Sequence, residues 1–183
     1  MLTLVIVVAV LAALFVLAYN SLVRLKVLVD NAWADIDVQL KRRYDLIPNL
    51  VETVKGYAAH EKGTFEAVVA ARNRAIAASG PAAKGEAERG LAAALGGMFA
   101  LAEAYPQLRA AENFSQLQGT LAEIETAVQN ARRYYNAAVR DFNTKIAQIP
   151  WNLIASSFGF QAREFFQLTD EAQREAPSVK FTS

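Results

Sequence analysis

The chain has 183 residues, of which 54% are hydrophobic and 20% are charged, with 9 glycines and 5 prolines. This composition excludes a disordered or linker-like protein and allows one domain of ordinary size plus an anchor. The net charge is +1 and cysteine is absent, which gives no reason to expect nucleic acid as a partner and excludes disulfides, thiolate nucleophiles and thiolate metal sites.

An uncharged apolar segment runs from Leu2 to Tyr19. As a helix it is roughly 27 Å long, close to the thickness of the hydrocarbon core of a bilayer. Tyrosine favours the headgroup level, so Tyr19 and Asn20 mark an expected interface. The alternatives are a cleaved signal peptide and a buried core helix. A signal peptide needs a basic region before the apolar run and a small-x-small cleavage site after it, but here only Met1 precedes the run, and Ala12 and Ala13 lie too deep inside it. We therefore predict a membrane anchor over residues 1–20.

Basic residues near the anchor predict its orientation. None precedes the apolar run, whereas Arg24 and Lys26 follow it directly. By the positive-inside rule, the N-terminus is then outside and the rest of the chain is in the cytoplasm.

A helical period follows the anchor. Apolar residues recur three or four positions apart from Leu22 to Leu40 and predict a helix that continues out of the membrane. Because proline disfavours helical geometry at the preceding residue, we expect a turn near Leu46–Ile47 and a second helix from Pro48. The basic run Lys41-Arg42-Arg43 would then suit the dipole at the end of the first helix.

Two further helices are predicted after the Ser79-Gly80-Pro81 break. The third runs from about Glu86 to Ala104, and its glycines, Gly90, Gly96 and Gly97, are interpreted as sites of close packing on a neighbouring helix, with a groove for a partner as the alternative. The fourth runs from about Gln107 to Gln148, so its far end should overhang the bundle or meet another chain. It carries the clearest heptad seam: Leu117, Leu121, Ile124, Val128, Ala131, Tyr135, Ala138 and Phe142.

The predicted fold is therefore all-α, with a transmembrane helix followed by an antiparallel bundle of about four long helices and a short aromatic-rich segment. That segment follows Pro150 and could cap the bundle, lie on the membrane surface or bind another subunit. The expected domains are the anchor 1–20, the bundle 21–168 and a polar tail 169–183. The aromatic-rich segment contains Trp151, Leu153, Ile154, Phe158, Phe160, Phe165 and Phe166.

A search for catalytic motifs finds none. His60 is the only histidine, and Thr64 stands where a zinc-protease helix would need a second one. No glycine-rich phosphate loop occurs. The carboxylates Asp35 and Asp37 are two apart, so on a helix they do not share a face. We therefore predict no enzymatic activity, no cofactor and no metal.

Several segments resemble one known family, the LemA family, in chain order and over nearly the whole chain. The longest is the block Asn31-Ala32-Trp33-Ala34-Asp35-Ile36-Asp37-Val38-Gln39-Leu40-Lys41-Arg42-Arg43-Tyr44-Asp45-Leu46-Ile47-Pro48-Asn49-Leu50-Val51. The others are Tyr19-Asn20-Ser21-Leu22-Val23, Ala104-Tyr105-Pro106, Glu112-Asn113-Phe114, Ala131-Arg132-Arg133-Tyr134-Tyr135-Asn136 and Phe158-Gly159-Phe160.

The resemblance implies a single-pass protein of the bacterial inner membrane with long antiparallel helices and no established enzymatic activity. It also implies relatives that are linked with membrane stress, with a membrane zinc metalloprotease and with the building of magnetosome membranes. No agreed functional residues can be carried over from the family.

Two functions remain open. The first is a non-catalytic scaffold that self-associates as a homo-oligomer or recruits a membrane partner, such as a zinc metalloprotease, at the lipid bilayer. The second is a signalling or regulatory adaptor that transmits a shift from the anchor helix to the bundle. The candidate interaction or structural residues are Trp33, Arg42, Arg43, Asp45, Pro48, Asn49, Arg132, Arg133, Tyr134, Tyr135, Trp151, Phe158 and Phe160.

Overall fold

The structure, a computed structural model, describes residues 1–167. Within them it contains helices and no strand, which confirms the all-α prediction. The predicted polar tail, 169–183, lies outside the described residues. The helices are α1 (Leu2–Lys55), α2 (Lys62–Ala77), α3 (Pro81–Glu103), α4 (Pro106–Arg109), α5 (Glu112–Ala147) and α6 (Trp151–Ser157).

Helix α1 contains both the apolar segment and a large part of the core. Its 54 residues give a length of about 81 Å, and its N-terminal part is long and apolar enough to cross a membrane. The helix continues past Asn20 without a break, as predicted. Beyond the apolar segment, one stripe of α1 is buried: Leu22, Val29, Ala32, Ile36 and Leu40.

The turn expected at Leu46–Ile47 is wrong, because α1 runs through Pro48 to Lys55. A proline inside a helix has no N–H to donate to the carbonyl four residues before it, which here is that of Tyr44. The Arg72 Nε–H donates to that carbonyl oxygen instead, at 2.7 Å. Burial of Ile47 and Leu50 on either side of the proline adds a packing reason for the helix to continue.

We predict that replacing Arg72 by methionine lowers the free energy of unfolding by about 1–3 kcal/mol, because the Tyr44 carbonyl loses its donor. In a Pro48→Ala background the same substitution should cost less, since the alanine would supply the missing backbone N–H. Urea unfolding of the four proteins in the cycle measures the difference. Equal costs in both backgrounds would contradict the compensation.

Helices α2 and α3 form a hairpin that packs on α1. Helix α3 begins at Pro81, five residues before the predicted start, because proline is well suited to the first helical position. The close-packing interpretation of its glycines is wrong: a Cβ added at Gly90, Gly96 or Gly97 would meet no atom within 4 Å. The close approach occurs at Gly85, where an added Cβ would lie 2.5 Å from the Gln167 carbonyl oxygen.

The predicted fourth helix is divided into the single turn α4 and the long helix α5. Helix α5 returns antiparallel to α1, which brings Glu125 to Arg43 and Tyr135 to Trp33. Its seam faces the core of the same chain. The expected overhang of the far end of α5 is wrong, because Ile146 packs near Leu22 of α1, whereas a contact of this end with another chain stays a prediction.

After α5 the chain turns at the membrane-proximal end and then runs back along the bundle. Helix α6 packs through Ile154 and Ala155 on Ala18 and Leu22 of α1. Residues 158–167, here called the strap, then run along α5 towards the α2–α3 hairpin. The strap fills the groove beside α1 and α5, and Phe166 is its most deeply buried side chain, at 1% exposure.

Candidate functional site

A buried polar cluster joins α1, α3 and α5 in the middle of the bundle. Arg43 from α1 lies 3.0 Å from Glu88 of α3 and 3.1 Å from Glu125 of α5. The Tyr44 hydroxyl donates a short hydrogen bond to the other Glu88 oxygen. Arg43 and Glu88 are only 6% and 2% exposed, so their charges compensate each other away from water.

Lys84 completes this cluster at the base of the α2–α3 hairpin. Its ammonium group donates to the Ala75 carbonyl oxygen at 3.0 Å and lies 5.9 Å from the centre of the Tyr44 ring. Ala75 is in the last turn of α2, where carbonyls have no partner within the helix. Lys84 therefore caps α2 and brings positive charge near Glu88, one turn further along α3.

Burial controls the ionisation of this cluster. Removal from water raises the pKa of Glu88 above its ordinary value, and the Tyr44 hydrogen bond and the Arg43 charge act in the opposite direction. Burial also raises the pKa of the Tyr44 hydroxyl, and its hydrogen bond to Glu88 raises it further. Tyr44 therefore stays protonated as a donor to Glu88, and the cluster is suited to fasten three helices.

Two asparagines of α5 hold the strap by its backbone. The side-chain amide of Asn143 donates to the Arg163 carbonyl at 2.9 Å and accepts from the Arg163 N–H at 2.8 Å. Asn136, seven residues earlier, makes the same pair of bonds with Phe166, at 3.1 and 2.9 Å. Seven residues are two helical turns, so both amides project from one side of α5.

Aromatic rings pack between α1 and the strap, next to the hydrogen bonds made by the two asparagines. Trp33 of α1 lies with its ring centre 5.2 Å from that of Tyr135 and 5.8 Å from that of Phe166. The Tyr135 hydroxyl donates to the Glu164 carbonyl at 2.8 Å. At the far end, Gly85 leaves room for the backbone of Gln167. The strap is therefore held by α1, α3 and α5 together.

The conspicuous block around Pro48 is divided by its helix into a buried and an exposed side. Arg43 is buried in the polar cluster. Arg42 bonds only to Gln39 at the surface, and Asp45 pairs with Lys41, also at the surface. Exposed pairs of this kind contribute little to stability. Pro48 and Asn49 are exposed as well. Because α1 continues to Lys55, the interpretation of the basic run as a helix-end feature is wrong.

The predicted patch around Arg132 is also divided. Tyr135 faces the core and binds the strap, whereas Arg133 and Tyr134 are exposed and Arg132 is half-buried. Arg133 bonds to Asn130 on its own helix. Arg133 and Tyr134 are thus the two members of this patch whose side chains face solvent.

The candidate residues Trp151, Phe158 and Phe160 lie at the membrane-proximal end. The Trp151 ring carries the Lys145 ammonium 3.5 Å from its centre. Phe160 packs with Phe142 and Tyr19. Phe158 lies outside the core at 53% exposure. Gly159, with φ of +71°, makes the turn that separates the two phenylalanines.

Three observations bear on catalysis and metal binding. His60 is exposed in the turn between α1 and α2. In residues 1–167 no group of three or more His, Asp or Glu side chains is placed to hold a metal ion. The buried carboxylate Glu88 is engaged by Arg43 and Tyr44.

Sequence reasoning did not single out Tyr44, Lys84, Glu88, Asn136 and Asn143. Lys84 and Glu88 are four apart in an otherwise alanine-rich helix, which is the spacing of residues that share a helix face. The two asparagines are seven apart beside the α5 seam. Both spacings were available as signals, but neither identifies the partners: those of Glu88 and the two asparagines lie 20 to 45 residues away in sequence, and the Ala75 carbonyl bound by Lys84 lies on another helix.

Comparison with known proteins places these features in a family. A model described as the LemA family matches residues 32–181. Magnetosome protein MamQ 1 and Magnetosome protein MamQ 2 of Paramagnetospirillum magneticum are each 28% identical over 182 residues, covering 85% of this chain and 66% of the relative. Magnetosome protein MamQ of Magnetospirillum gryphiswaldense is 25% identical over 174 residues, covering 81% and 64%. The chain thus spans about two thirds of the length of these relatives.

The end of the apolar segment is part of the packed protein, since Ala18 is buried against α6. By its length and apolar composition, the N-terminal part of the same helix is a candidate membrane-spanning segment. The matched family model extends over most of the chain and includes the strap, the buried polar cluster and the Pro48 block. The protein belongs to the LemA family.

Proposed function

We propose that this protein is a non-catalytic scaffold that holds a helical bundle at a fixed position above the inner bacterial membrane, where it self-associates or recruits a membrane partner. The observation that carries the proposal is the continuity of α1, which is both the anchor and a core helix. Helix α5 and the strap bind along the same helix. The names of the MamQ relatives, which are magnetosome proteins, agree with a role in membrane organisation.

The first test is the mass of the full chain in lipid nanodiscs, together with in-membrane cross-linking, compared with a chain that starts at Asn20. We expect a defined assembly or an associated membrane protein that depends on the anchor. A monomer in both preparations, with nothing cross-linked, would contradict the scaffold.

The surface that we assign to this contact contains Arg133 and Tyr134. Arginine and tyrosine are enriched among residues that dominate binding energy, and both side chains are exposed. The variant Arg133→Ala/Tyr134→Ala should lose cross-links without a change in melting temperature. The matched control is Arg42→Ala, which alters an exposed arginine near the polar cluster on α1. Equal loss in both variants would argue against this surface.

The orientation is part of the proposal, with the bundle in the cytoplasm. The absence of cysteine makes the test direct. A Gln107→Cys variant, at the membrane-distal end, should resist an impermeant maleimide in cells whose inner membrane is intact. Thr3→Cys should react. The reverse pattern would invert the proposed topology.

The continuity of α1 also favours the second function, an adaptor that passes a shift from the anchor to the bundle. Two alanines inserted after Asn20 would rotate the bundle by about 200° relative to the anchor. A seven-residue insertion nearly restores the face and serves as control. An adaptor should lose its effect on a partner with the two-residue insertion alone, whereas equal behaviour of both insertions would exclude this mechanism.

A further inference from the structure

The chain turns at the membrane-proximal end through residues 149–158, here called the corner. Its inner side is buried, since Ile154 and Ala155 pack on α1. Its outer side carries three large apolar side chains that have little protein cover: Ile149, Leu153 and Phe158 are 80%, 65% and 53% exposed. Such a concentration of exposed apolar surface marks a place where something other than water covers the protein.

Ring contacts fix the depth of this corner relative to the anchor. The Phe158 ring centre lies 5.1 Å from that of Tyr19 and 5.8 Å from that of Phe15. Phe15 precedes Tyr19 by one helical turn, which is about 6 Å towards the middle of the apolar segment. Phe158 therefore stands at a level where α1 itself is uncharged and outward-facing, and where its surroundings would be lipid.

The polar groups around the corner agree with a membrane interface. Lys145 lies over the ring of Trp151, and tryptophan and tyrosine are the residues that favour the headgroup level. The hydroxyls of Ser156 and Ser157 both donate to the Leu153 carbonyl, so they do not need water. Arg24 and Lys26 follow Tyr19 by one to two turns, where cations attract lipid phosphates.

We propose that the corner is inserted into the lipid leaflet in which the apolar segment of α1 ends near Tyr19, with Ile149, Leu153 and Phe158 facing hydrocarbon and Trp151 at the headgroup level. The protein would then contact the hydrocarbon region at two places, the spanning helix and the adjacent corner. The occupant is the bilayer because the apolar surface of the corner is continuous with that of the spanning segment through Phe15 and Tyr19. The proposal rests on the anchoring of α1 described above.

The two tryptophans allow a direct test in the full chain, reconstituted in vesicles with bromine on the lipid acyl chains. A Trp33→Phe variant reports on Trp151 alone, and its emission should be largely quenched. The matched control is Trp151→Phe, which reports on Trp33. Trp33 lies about 21 Å along α1 beyond Tyr19, so it should keep its emission.

A second probe covers the case in which a tryptophan variant fails to fold. Leu153→Cys labelled with an environment-sensitive dye should show a blue shift and quenching by the same lipids, whereas a label at Tyr134→Cys should show neither. An unquenched probe at both Trp151 and Leu153 would overturn the proposal. It would also be overturned if the corner were covered by a second copy, seen as a dimer in nanodiscs that Leu153→Asp dissociates.

A separate probe tests whether α1 spans the membrane, so that failure of the anchor can be distinguished from failure of the inserted corner. A Phe15→Trp substitution in the Trp33→Phe/Trp151→Phe background places the only tryptophan in α1. If the tryptophan at position 15 is quenched and Trp151 is not, α1 spans the membrane but the corner is not inserted in it. Absence of quenching at Phe15→Trp would reject the anchor as well.

Discussion

Replacement of Arg43 by methionine is expected to lower the free energy of unfolding by about 3–5 kcal/mol, because it leaves Glu88 buried without its cation. Glu88 is only 2% exposed, so water cannot replace the lost cation. The matched control is Arg42→Met, one residue earlier on the exposed side of α1. That substitution should stay within about 0.5 kcal/mol of the parent protein. Urea unfolding followed by circular dichroism measures both.

The effect of Arg43→Met should depend on pH. Burial raises the pKa of Glu88 above its ordinary value of 4.5, and the Arg43 charge acts against this rise. Without Arg43 the pKa rises further, and the folded state then holds a proton that the unfolded state releases. Stability therefore falls as the pH increases from about 4.5 through the raised pKa. The deficit of the variant should be smallest near pH 4.5, and a deficit that is constant with pH would contradict this account.

Two further variants separate the charge from the packing of the cluster. Arg43→Met with Glu88→Leu removes both buried charges, and it should recover part of the loss, because apolar pairs of similar volume can replace buried ion pairs. Full recovery is not expected. In the double variant the Tyr44 hydroxyl loses its hydrogen-bond acceptor, and the Lys84 ammonium group loses the nearby negative charge. If the double variant is less stable than Arg43→Met, the buried charge is not the source of the cost.

The second large effect is expected in the strap. Phe166→Ala should cost about 3–5 kcal/mol, since a fully buried phenylalanine leaves a cavity against Trp33. Its neighbour Phe165 is 38% exposed and provides the control, for which Phe165→Ala should cost far less. Urea unfolding gives the two free energies. Similar values for both variants would mean that the strap is not part of the cooperative core.

A substitution at Gly85 of α3 tests the packing of the strap against the helix that faces its end. In Gly85→Ala the new methyl group would meet the Gln167 backbone oxygen at 2.5 Å, so the strap end or α3 must shift. Gly90→Ala, in the same helix and with open space around it, is the control. It should be neutral or stabilising by up to about 1 kcal/mol, because alanine favours a helix interior. Loss of stability in both variants would point to a general effect on α3.

The helices could be predicted from sequence because their signals are local. The apolar segment from Leu2 to Tyr19 and the seam of α5 each carry their own period, and both are helical in the structure. The course of α1 through Pro48 could not be predicted, because the compensating donor, Arg72, is 28 residues away in sequence from Tyr44, whose carbonyl it satisfies. A proline in the sequence predicts a helix break, and only the contact between Arg72 and the Tyr44 carbonyl, seen in the folded chain, explains why the helix continues.

The candidate site was predicted in part for the same reason. Arg43, Trp33, Tyr135 and Phe160 were selected as conspicuous residue types, and the structure gives each of them a partner within the chain. Glu88 looked like any other carboxylate of a helical surface, since nothing in its local sequence records that it faces α1. The far end of α5 was expected to overhang the bundle or to meet another chain, but the antiparallel path of the helix packs its seam and its far end against α1.

The unbroken course of α1 makes the bundle respond to the thickness of the bilayer. A spanning helix adapts to a thinner or thicker membrane chiefly by changing its tilt. Where a hinge separates anchor and domain, the domain does not follow, but here about 54 Å of the same rod extend from Tyr19 to Lys55. A change in tilt of about 10° would displace the distal end by roughly 9 Å sideways, as on a lever. Lipid composition would thus set where the top of the bundle stands over the membrane plane.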